Sequence, residues 1–576
     1  MRKYILFIAL LSNTVLSAFA QRYTVTGKVI SSKEKNPIEF ASVFVIDNGI
    51  WTVTNEKGEF TLTNLSEGKY SVQINSLGYV ERTYAVEIPN KQSLLSFVLQ
   101  EDNLALDEVV ITAKRKTNDM ATSYAIDRTT LDHTQILNIS DIASLLPGGK
   151  SNGILNLAEA DERLAIHAGS SEFGNPSFGT AIEVDGIRAQ NNASFEETKG
   201  VSTRNISTTN IESIEVVTGI PSVEHGDFTN GIVKVNTQKG TTPITVNLST
   251  KPHTKQAAIS KGFLLGSKSG TLNTSLEYTK SNSDLASPHK TYDRNSFSLT
   301  YDNTFNKKRG MPLRLTVGLS GNAGGYDSKA DPDAFKDTYT QKRDNAIQGY
   351  VKLNWLLNKL WVTNMEASGS VSYADKLSKI NTNKSVSSTT AFIHATEEGY
   401  FMGAPYDENN PDTPIILSPV GYWYELAYRD SKPINYTAKF KADWIRQFGP
   451  VTNKLMVGGQ YDRSGNEGKG LYYDSMKYAP TWREDRHDSK PYMNNMAWYV
   501  EDKITLPVAG QSKLQVMAGI RSDITYINGS EYGTVRSFSP RFNAQYTFWE
   551  KASKWVKSLS IHAGWGKAVK LPSFEV

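Results

Sequence analysis

The feature that most constrains this fold is an alternation of apolar and polar residues in many segments after Thr241. The apolar members of five such segments are Leu272, Leu276 and Tyr278; Leu313, Leu315, Val317 and Leu319; Tyr436, Ala438, Phe440, Ala442 and Trp444; Leu514, Val516, Ala518 and Ile520; and Phe542, Ala544, Tyr546 and Phe548. Strands of about ten residues with this alternation, aromatic ends and loops of unequal length are typical of a transmembrane β-barrel. A soluble sandwich also alternates, but charged residues on the polar faces favour the barrel.

A second constraint is the apolar run at the N-terminus. Arg2 and Lys3 precede an apolar stretch at residues 4–16, and Ala18 and Ala20 form a small-residue cleavage site. This pattern predicts a secretory signal peptide over residues 1–20, and it is too short for a membrane anchor. The alternative is a buried N-terminal helix. We therefore expect the mature chain to be exported.

Composition narrows the class further. The chain has 576 residues, so three or more structural units are expected. Its net charge of +4 gives no case for nucleic acid as a partner. It contains no cysteine, which excludes disulfide frameworks, thiol catalysis, cysteine-based zinc sites and lipid attachment after the cleavage site.

Residues 21–101 are predicted to form a small β-sandwich, because short strands alternate with turn signals. The pattern includes Gly27-Lys28-Val29, Pro37-Ile38, Ala41-Ser42-Val43, Thr54-Asn55-Glu56-Lys57-Gly58 and Leu77-Gly78-Tyr79. It resembles the carboxypeptidase-regulatory-like, transthyretin-like domain, which is an accessory module without chemistry of its own.

Residues 102–128 form a polar tether that contains a short β-prone run at residues 108–113. A sticky strand in such a tether suits pairing with an exposed sheet edge of another protein. The alternative, which the run alone does not separate from the first, is one more strand of the preceding sandwich.

Residues 129–240 are predicted to form a mixed α/β unit. Ser140 is the expected N-cap of a helix over residues 141–146, and strands are expected at residues 163–169 and 179–187. The stretch 210–240 then predicts a strand, a Gly219/Pro221 turn, a short helical turn, and a last apolar strand before Gly240.

The motifs of residues 129–240 resemble the plug domain of TonB-dependent outer-membrane receptors. They are Leu-Leu-Pro-Gly, Ala-Ile-His-Ala-Gly, Ile-Glu-Val-Asp-Gly, Ile-Glu-Ser-Ile-Glu-Val-Val-Thr-Gly, Glu-His-Gly and Gly-Ile-Val-Lys-Val-Asn-Thr. In this family the run before the plug corresponds to the TonB box, which consists here of Glu108, Val109, Val110, Ile111, Thr112 and Ala113. His167 stands where the family often has arginine, so no role is assigned to it.

The resemblance implies a mainly β fold: an N-terminal β-sandwich, a small α/β plug, and part of a large antiparallel transmembrane β-barrel over residues 241–576. Family barrels of this kind have about 22 strands. The residues after Gly240 suffice for roughly a dozen strands of this length, and we expect the C-terminal barrel strands to be missing.

No segment predicts an enzyme. His394 and Glu397 have one spacing found in metallopeptidases, but no further histidine is tied to them. Glu212 and Glu215 are expected to pair with arginines such as Arg163 or Arg204 rather than to act as acid and base. We therefore predict no catalytic residue, no metal site and no cofactor.

Ligand binding is predicted for an aromatic segment, residues 400–428. Its candidate ligand residues are Tyr400, Phe401, Tyr406, Tyr422, Trp423 and Tyr424. A long aromatic loop on a barrel can stack on a ligand. An interfacial aromatic girdle, or packing of the loop on itself, is an equally good explanation. A second tyrosine-rich loop is expected at residues 463–486.

The family resemblance implies active import of a scarce or bulky substrate across the outer membrane of a Gram-negative cell. The implied partners are TonB with its ExbB–ExbD motor, outer-membrane lipids, an unidentified small-molecule, peptide or glycan ligand, and a candidate surface lipoprotein. The N-terminal domain and the TonB box would be periplasmic. The alternatives are a binding or signalling receptor that does not transport, and a secreted peptidase with a regulatory domain.

Overall fold

The structure is a computed structural model, and it describes most of the chain after residue 22. The described residues are 23–32, 35–38, 41–55, 57–76, 79, 82–89, 95–100, 114–115, 120–134, 136–146, 157–158, 164, 166, 179–194, 200–266, 269–283, 286, 289–306, 311–328, 338–387, 391–392, 402–403, 415–417, 421–448, 450–475, 485–508, 512–529, 533–550 and 558–571. The predicted signal peptide, the TonB box and the expected strand at 163–169 lie outside the described residues, apart from Leu164 and Ile166.

The first unit is a sandwich of two small sheets. Its strands are β1 (Tyr23–Ser31), β2 (Ser42–Val45), β3 (Trp51–Val53), β4 (Glu59–Leu65), β5 (Gly68–Asn75), β6 (Arg82–Ile88) and β7 (Leu95–Leu99). One sheet has the order β4-β1-β7 and the other β3-β2-β5-β6. Alternate residues such as Val43, Leu62, Val72 and Ile74 point inward and form a shared apolar core. This arrangement confirms the predicted β-sandwich.

The second unit, called the plug below, is a six-stranded mixed sheet with two short helices. Its elements are β8 (Lys114–Arg115), β9 (Ser123–Asp127), α1 (Arg128–Thr134), a 3₁₀ helix (Ile139–Leu145), β10 (Ala181–Val184), β11 (Ile187–Arg188), β12 (Ile211–Val217) and β13 (Ile232–Thr237). The sheet order is β11-β10-β13-β12-β9-β8. Strands β8 and β9 thus precede residue 129, where the sequence pattern placed the start of this unit.

The cap of the 3₁₀ helix corrects one prediction. Asn138, not Ser140, is the N-cap, and its side-chain oxygen accepts a hydrogen bond from the backbone N–H of Ser140. The side chain of Asp141 in turn accepts from the backbone N–H of Asn138 at 3.0 Å. This capping box starts the helix two residues before the predicted Asp141.

The third unit is a large antiparallel sheet that forms a wall around the plug. Its strands are β14 (Thr242–Thr250), β15 (Thr254–Gly266), β16 (Gly270–Asn282), β17 (Lys290–Phe305), β18 (Leu313–Ser328), β19 (Tyr339–Lys359), β20 (Val362–Val386), β24 (Gly421–Ser431), β25 (Pro433–Phe448), β26 (Val451–Asn466), β27 (Gly470–Tyr473), β28 (Met493–Pro507), β29 (Lys513–Ile527), β30 (Thr534–Glu550) and β31 (Ser558–Gly566). Strands β21 (Ala391–Phe392), β22 (Met402–Gly403) and β23 (Ile415–Leu417) form a separate small sheet.

Strand order in the wall is almost sequential. Among the described residues, fifteen strands belong to this sheet. Thirteen of them lie on one continuous path: β14 to β20, then β25, β26, and β28 to β31. The other two, β24 and β27, lie off this path. Strand β24 pairs with residues 376–386 of β20, in its C-terminal half. It continues through Lys432 into β25, which pairs with residues 364–373 in the N-terminal half of β20. Strand β27 pairs with β24.

The two faces of the wall have opposite chemistry. On β16, Asn273, Ser275 and Glu277 point inward and are buried, whereas Leu276 and Tyr278 point outward and are 60% and 47% exposed. This is the inverse of a soluble protein and the pattern of a barrel that faces lipid outside and a polar lumen inside. The predicted alternation is therefore confirmed. In the part of the chain that the structure describes, no helix is long and apolar enough to cross a membrane.

The connections differ between the two ends of the wall. At one end, short connections join the strands, such as the two residues between β19 and β20, and at the other end many more residues separate the strands, such as the 34 between β20 and β24. The sandwich lies at the short-turn end. Leu356, near the end of β19, is 2% exposed and belongs to the apolar core of the sandwich.

Polar contacts also join the sandwich to the short-turn end. The phenol of Tyr70 donates to Oε1 of Gln447 at 2.9 Å, next to the turn between β25 and β26. Nδ2 of Asn358 donates to the carbonyl oxygen of Thr63 at 3.3 Å. The sandwich is therefore a docked part of the molecule, and no local pattern in its residues had predicted this interface.

We predict that cysteines placed at Thr63 and Asn358 will be joined by a short bismaleimide. The chain has no cysteine, so the double variant carries only the introduced pair. Cross-linking of the full chain in outer membranes should yield one species with altered electrophoretic mobility. Each single-cysteine variant is the control. A double variant that stays uncross-linked under conditions that label both thiols would contradict the docking.

Candidate functional site

A large cavity separates the plug from the wall. It has about 1420 Å³ of empty space, part of it open to solvent. The plug side is formed by β11 and the residues that follow it, by the start of β12, and by the ends of β10 and β13. The wall side is formed by strands β16 to β20 and β25. Its polar lining residues are Arg188, Gln190, Asn191, Ser194, Ser202, Asn205, Ser207, Asn210, Thr237, Ser275, Ser296, Ser298, Ser320, Asn322, Gln348, Ser372, Lys376 and Asn435.

A buried ion pair in the wall fixes the plug loop beside this cavity. The Arg294 guanidinium on β17 donates to Oε1 of Glu277 from Nε and Nη2, at 2.9 and 2.6 Å. Its third nitrogen, Nη1, donates to the carbonyl oxygen of Arg204 at 2.7 Å. Next to it, Asn205 donates to Asp344 on β19 at 2.8 Å. The loop at residues 200–210 is thereby held by side chains of the wall.

Two further arginines of the wall hold the turn between β12 and β13. Nη1 of Arg541 donates to the carbonyl oxygen of Ser222 at 2.5 Å, and Nη1 of Arg521 donates to that of Glu224 at 3.0 Å. Arg521 is itself fixed by Asp523 at 3.0 Å. This turn has no regular secondary structure, so its buried carbonyl groups need partners from outside the plug. The arginines supply them.

A row of alternating charges crosses from the plug sheet into the wall. In order, its members are Glu183, His225, Glu224, Lys441, Glu366 and Lys352. His225 lies 3.0 Å from Glu183 through Nδ1 and 3.4 Å from Glu224 through Nε2. Glu224 lies 2.8 Å from Lys441 on β25. Lys441 and Lys352 both approach Glu366 on β20, at 3.8 and 3.1 Å.

The surroundings favour the charged forms of the three groups at the plug end of this row. Burial lowers the pKa of His225, but the carboxylates of Glu183 and Glu224 outweigh burial and raise that pKa above 6.5. Burial raises the pKa of Glu224, but Lys441 and His225 outweigh it, and that pKa lies well below its usual range. The same balance, with His225 and Lys439 as the cations, lowers the pKa of Glu183.

Three of the predicted aromatic ligand residues lie on a strand of the wall rather than in a loop. Tyr422, Trp423 and Tyr424 belong to β24, and the rings of Tyr422 and Tyr424 meet edge to face at 6.4 Å. Further along β24, Tyr428 stacks on Tyr472 of β27 at 4.8 Å. Packing between these strands thus accounts for part of the aromatic content. None of the three predicted residues is among those that line the cavity.

Other predicted candidates lie outside the described residues. These are Tyr400, Phe401 and Tyr406, the pair His394 and Glu397, and all six residues of the TonB box. Among the residues that the structure does describe, no three His, Cys, Asp or Glu side chains are grouped to hold a metal ion.

Sequence reasoning missed most of the contacts between plug and wall. Lys441, Arg521 and Arg541 are more than 200 residues from their plug partners, so no local spacing reveals the pairs. The available signal was their placement on the polar faces of alternating strands. Those faces point into the lumen, where an arginine or lysine needs a partner.

Comparison with known proteins agrees with the three units. The CarboxypepD_reg-like domain matches residues 25–111, and the TonB-dependent receptor plug domain matches residues 114–233. The TonB-dependent receptor-like β-barrel matches residues 266–575, more than half of the chain. The chain belongs to the TonB-dependent receptors. The predicted family, fold class and outer-membrane barrel are thereby confirmed.

Solved structures with the same fold include several outer-membrane transporters. The receptor is similar to the outer membrane transporter YddB from Escherichia coli, with 14% identity, a TM-score of 0.52, and coverage of 81% of this chain and 64% of that one. It is similar to the copper transporter OprC, with 12% identity, a TM-score of 0.53, and coverage of 81% of this chain and 65% of that one. It is also similar to the ferric-catecholate import receptor Fiu from E. coli K12, with 10% identity, a TM-score of 0.50, and coverage of 79% of this chain and 70% of that one.

The receptor thus spans less than two thirds of the length of the first two structures. Identities this low show the shared fold alone. A comparison with curated protein sequences gives no match.

We predict that His225 stabilises the docked plug in a pH-dependent way. Because folding raises the pKa of His225, its contribution is fully present below pH 6.5 and is lost as the pH rises through the raised value. In His225→Gln the melting temperature of the detergent-solubilised receptor should fall most at about pH 6 and least at about pH 9. Calorimetry at matched ionic strength measures this difference.

The control for this measurement is His133→Gln, because His133 is exposed on α1. Its melting temperature should follow that of the unaltered receptor at every pH. A deficit in His225→Gln that stays constant across this pH range would contradict a charged His225 in the row.

Proposed function

We propose that this receptor imports a ligand across the outer membrane, energised by TonB through the box at residues 108–113. The observation that carries the proposal is the position of the box relative to the plug. Residue 113 directly precedes β8, and β8 is an edge strand of the plug sheet. A pull on the box therefore acts first on the edge of the structure that closes the barrel.

The ladder that meets this pull is weak. Among the described residues, two pairs join β8 to β9: Lys114 lies opposite Ala125, and Arg115 lies opposite Tyr124. Strand β9 pairs with β12 over five residues. Since force on an edge strand breaks its ladder one pair at a time, β8 separates first and β9 follows. Strand β12 is held by ladders on both sides and resists longer.

The difference between the two ends of the wall supports one orientation in the membrane. Short turns face the periplasm and long loops face outward in bacterial outer-membrane barrels. The sandwich and the first residues of the plug would then be periplasmic, where a strand of TonB can add to the box. The ligand would enter from the long-loop side and reach the cavity between plug and wall. ExbB–ExbD would drive TonB, and a surface lipoprotein is a further candidate partner.

We predict that Val110→Pro abolishes uptake and leaves ligand binding within about twofold of the unaltered receptor. Proline lacks the backbone N–H and removes one donor from the ladder between the box and TonB. Val110→Ile keeps that donor and is the matched control. Uptake and surface binding are measured in the same cells, and normal uptake by Val110→Pro would contradict energisation through this box.

A binding receptor that does not transport is the second candidate function. It has the same fold, and no observation favours it over import. Accumulation of a labelled ligand that stops when the proton-motive force is collapsed separates the two, because binding alone survives that treatment. The ligand itself is best sought by comparing growth of a deletion strain under iron limitation and on single glycans.

A further inference from the structure

We propose that the cavity between plug and wall binds an oxyanion group of the imported ligand, a carboxylate or a phosphate, at Arg188. The proposal rests on the import function and specifies the chemistry of its ligand. It starts from Arg188, the last residue of β11, which lines the cavity. The side chain is 4% exposed, and Nε and Nη1 have no hydrogen-bond partner.

Buried arginines elsewhere in the receptor show how unusual this is. Arg294 and Arg521 are fully buried in the wall, and each uses all three guanidinium nitrogens in hydrogen bonds. Arg188 uses only Nη2, which donates to the carbonyl oxygen of Asp227 at 2.6 Å. An unpaired buried donor on a charged group is costly, so a site that keeps one is suited to an acceptor from a ligand.

The carboxylate of Asp227 lies near Arg188, but it is closer to another cation, Lys570. Oδ2 of Asp227 lies 3.9 Å from Nη2 of Arg188, whereas Oδ1 lies 2.7 Å from Nζ of Lys570. Asp227 also accepts from Asn192 and from the backbone N–H of Leu571. Lys570, Asn192 and Leu571 thus all hydrogen-bond to this carboxylate, whereas Arg188 does not, so the positive charge of Arg188 is only partly compensated.

The remaining lining of the cavity suits an anion as well. Among the described lining residues none is acidic, and a second cation, Lys376, lies on β20. The carboxylates just behind the lining are engaged: Glu277 with Arg294 and Asp344 with Tyr292. On the wall side, the hydroxyl of Ser296 is buried and has no hydrogen-bond partner. It can donate to the same ligand group from the opposite side.

The geometry explains why arginine rather than lysine would serve here. Nε and Nη1 point to different sides of the planar guanidinium, so each can donate one hydrogen bond in a fixed direction to an oxygen of a carboxylate or phosphate. Amides and serines around the cavity can then bind the polar body of the ligand.

The test uses the full receptor in detergent with citrate and inorganic phosphate as probes, titrated calorimetrically at constant ionic strength. Binding of at least one probe is expected, and Arg188→Gln should weaken it about tenfold or more. Arg188→Lys, which keeps the charge but loses the separately directed donors of the guanidinium, should fall between the two. Arg429→Gln, at an exposed position on β24, is the matched control and should bind as the unaltered receptor does.

Ser296→Ala covers the case in which Arg188→Gln does not fold, because it removes only one hydroxyl from the wall. It should weaken the same probe by about threefold. Citrate alone, phosphate alone or both identify the oxyanion. Absence of binding by both probes, or equal affinity in Arg188→Gln and the unaltered receptor, overturns the proposal. Import is tested separately, since Val110→Pro blocks uptake without touching this cavity.

Discussion

The structure depends on one constraint: a wall that is apolar outside must be polar inside, and what fills it must satisfy that polar interior. The strands of the wall turn many leucines, valines and tryptophans outward and serines, asparagines and charged residues inward. A plug with an ordinary apolar surface would leave those inward groups without partners. The plug instead presents backbone carbonyl groups and charged side chains, and the wall's arginines and lysines bind them.

These contacts divide the plug into parts of different mechanical strength. The turn between β12 and β13 is held by Arg521, Arg541 and the charge row through Lys441. The first strand, β8, is held by two residue pairs at the edge of the sheet. Ion pairs of this buried kind cost much to break one partner at a time. The part next to the box is thus the part that can move while the rest stays in place.

The sequence predicted what depends on local pattern and missed what depends on distant pairing. Period-two alternation identified Leu313 to Leu319 as a wall strand, because a residue's face in a strand is set by its neighbours. The row from Glu183 to Lys352 could not be predicted, since each member is an ordinary charged residue until the fold brings it beside its partner. The aromatic residues of β24 illustrate a third case: Tyr422 to Tyr424 were predicted as ligand residues of a loop, but strand pairing places them in the wall sheet beside β20.

The sandwich adds a further consequence of the same geometry. It is fixed at the short-turn end through Leu356, Gln447 and Asn358, and the box follows it in sequence after residue 101. The tether that carries the box is therefore attached at both ends, to the docked sandwich on one side and to β8 on the other. Force applied between these two points is shared by them. In the proposed import, the plug edge at β8, which two residue pairs join to β9 among the described residues, would yield first, and the docked sandwich would be the anchor against which it is drawn out.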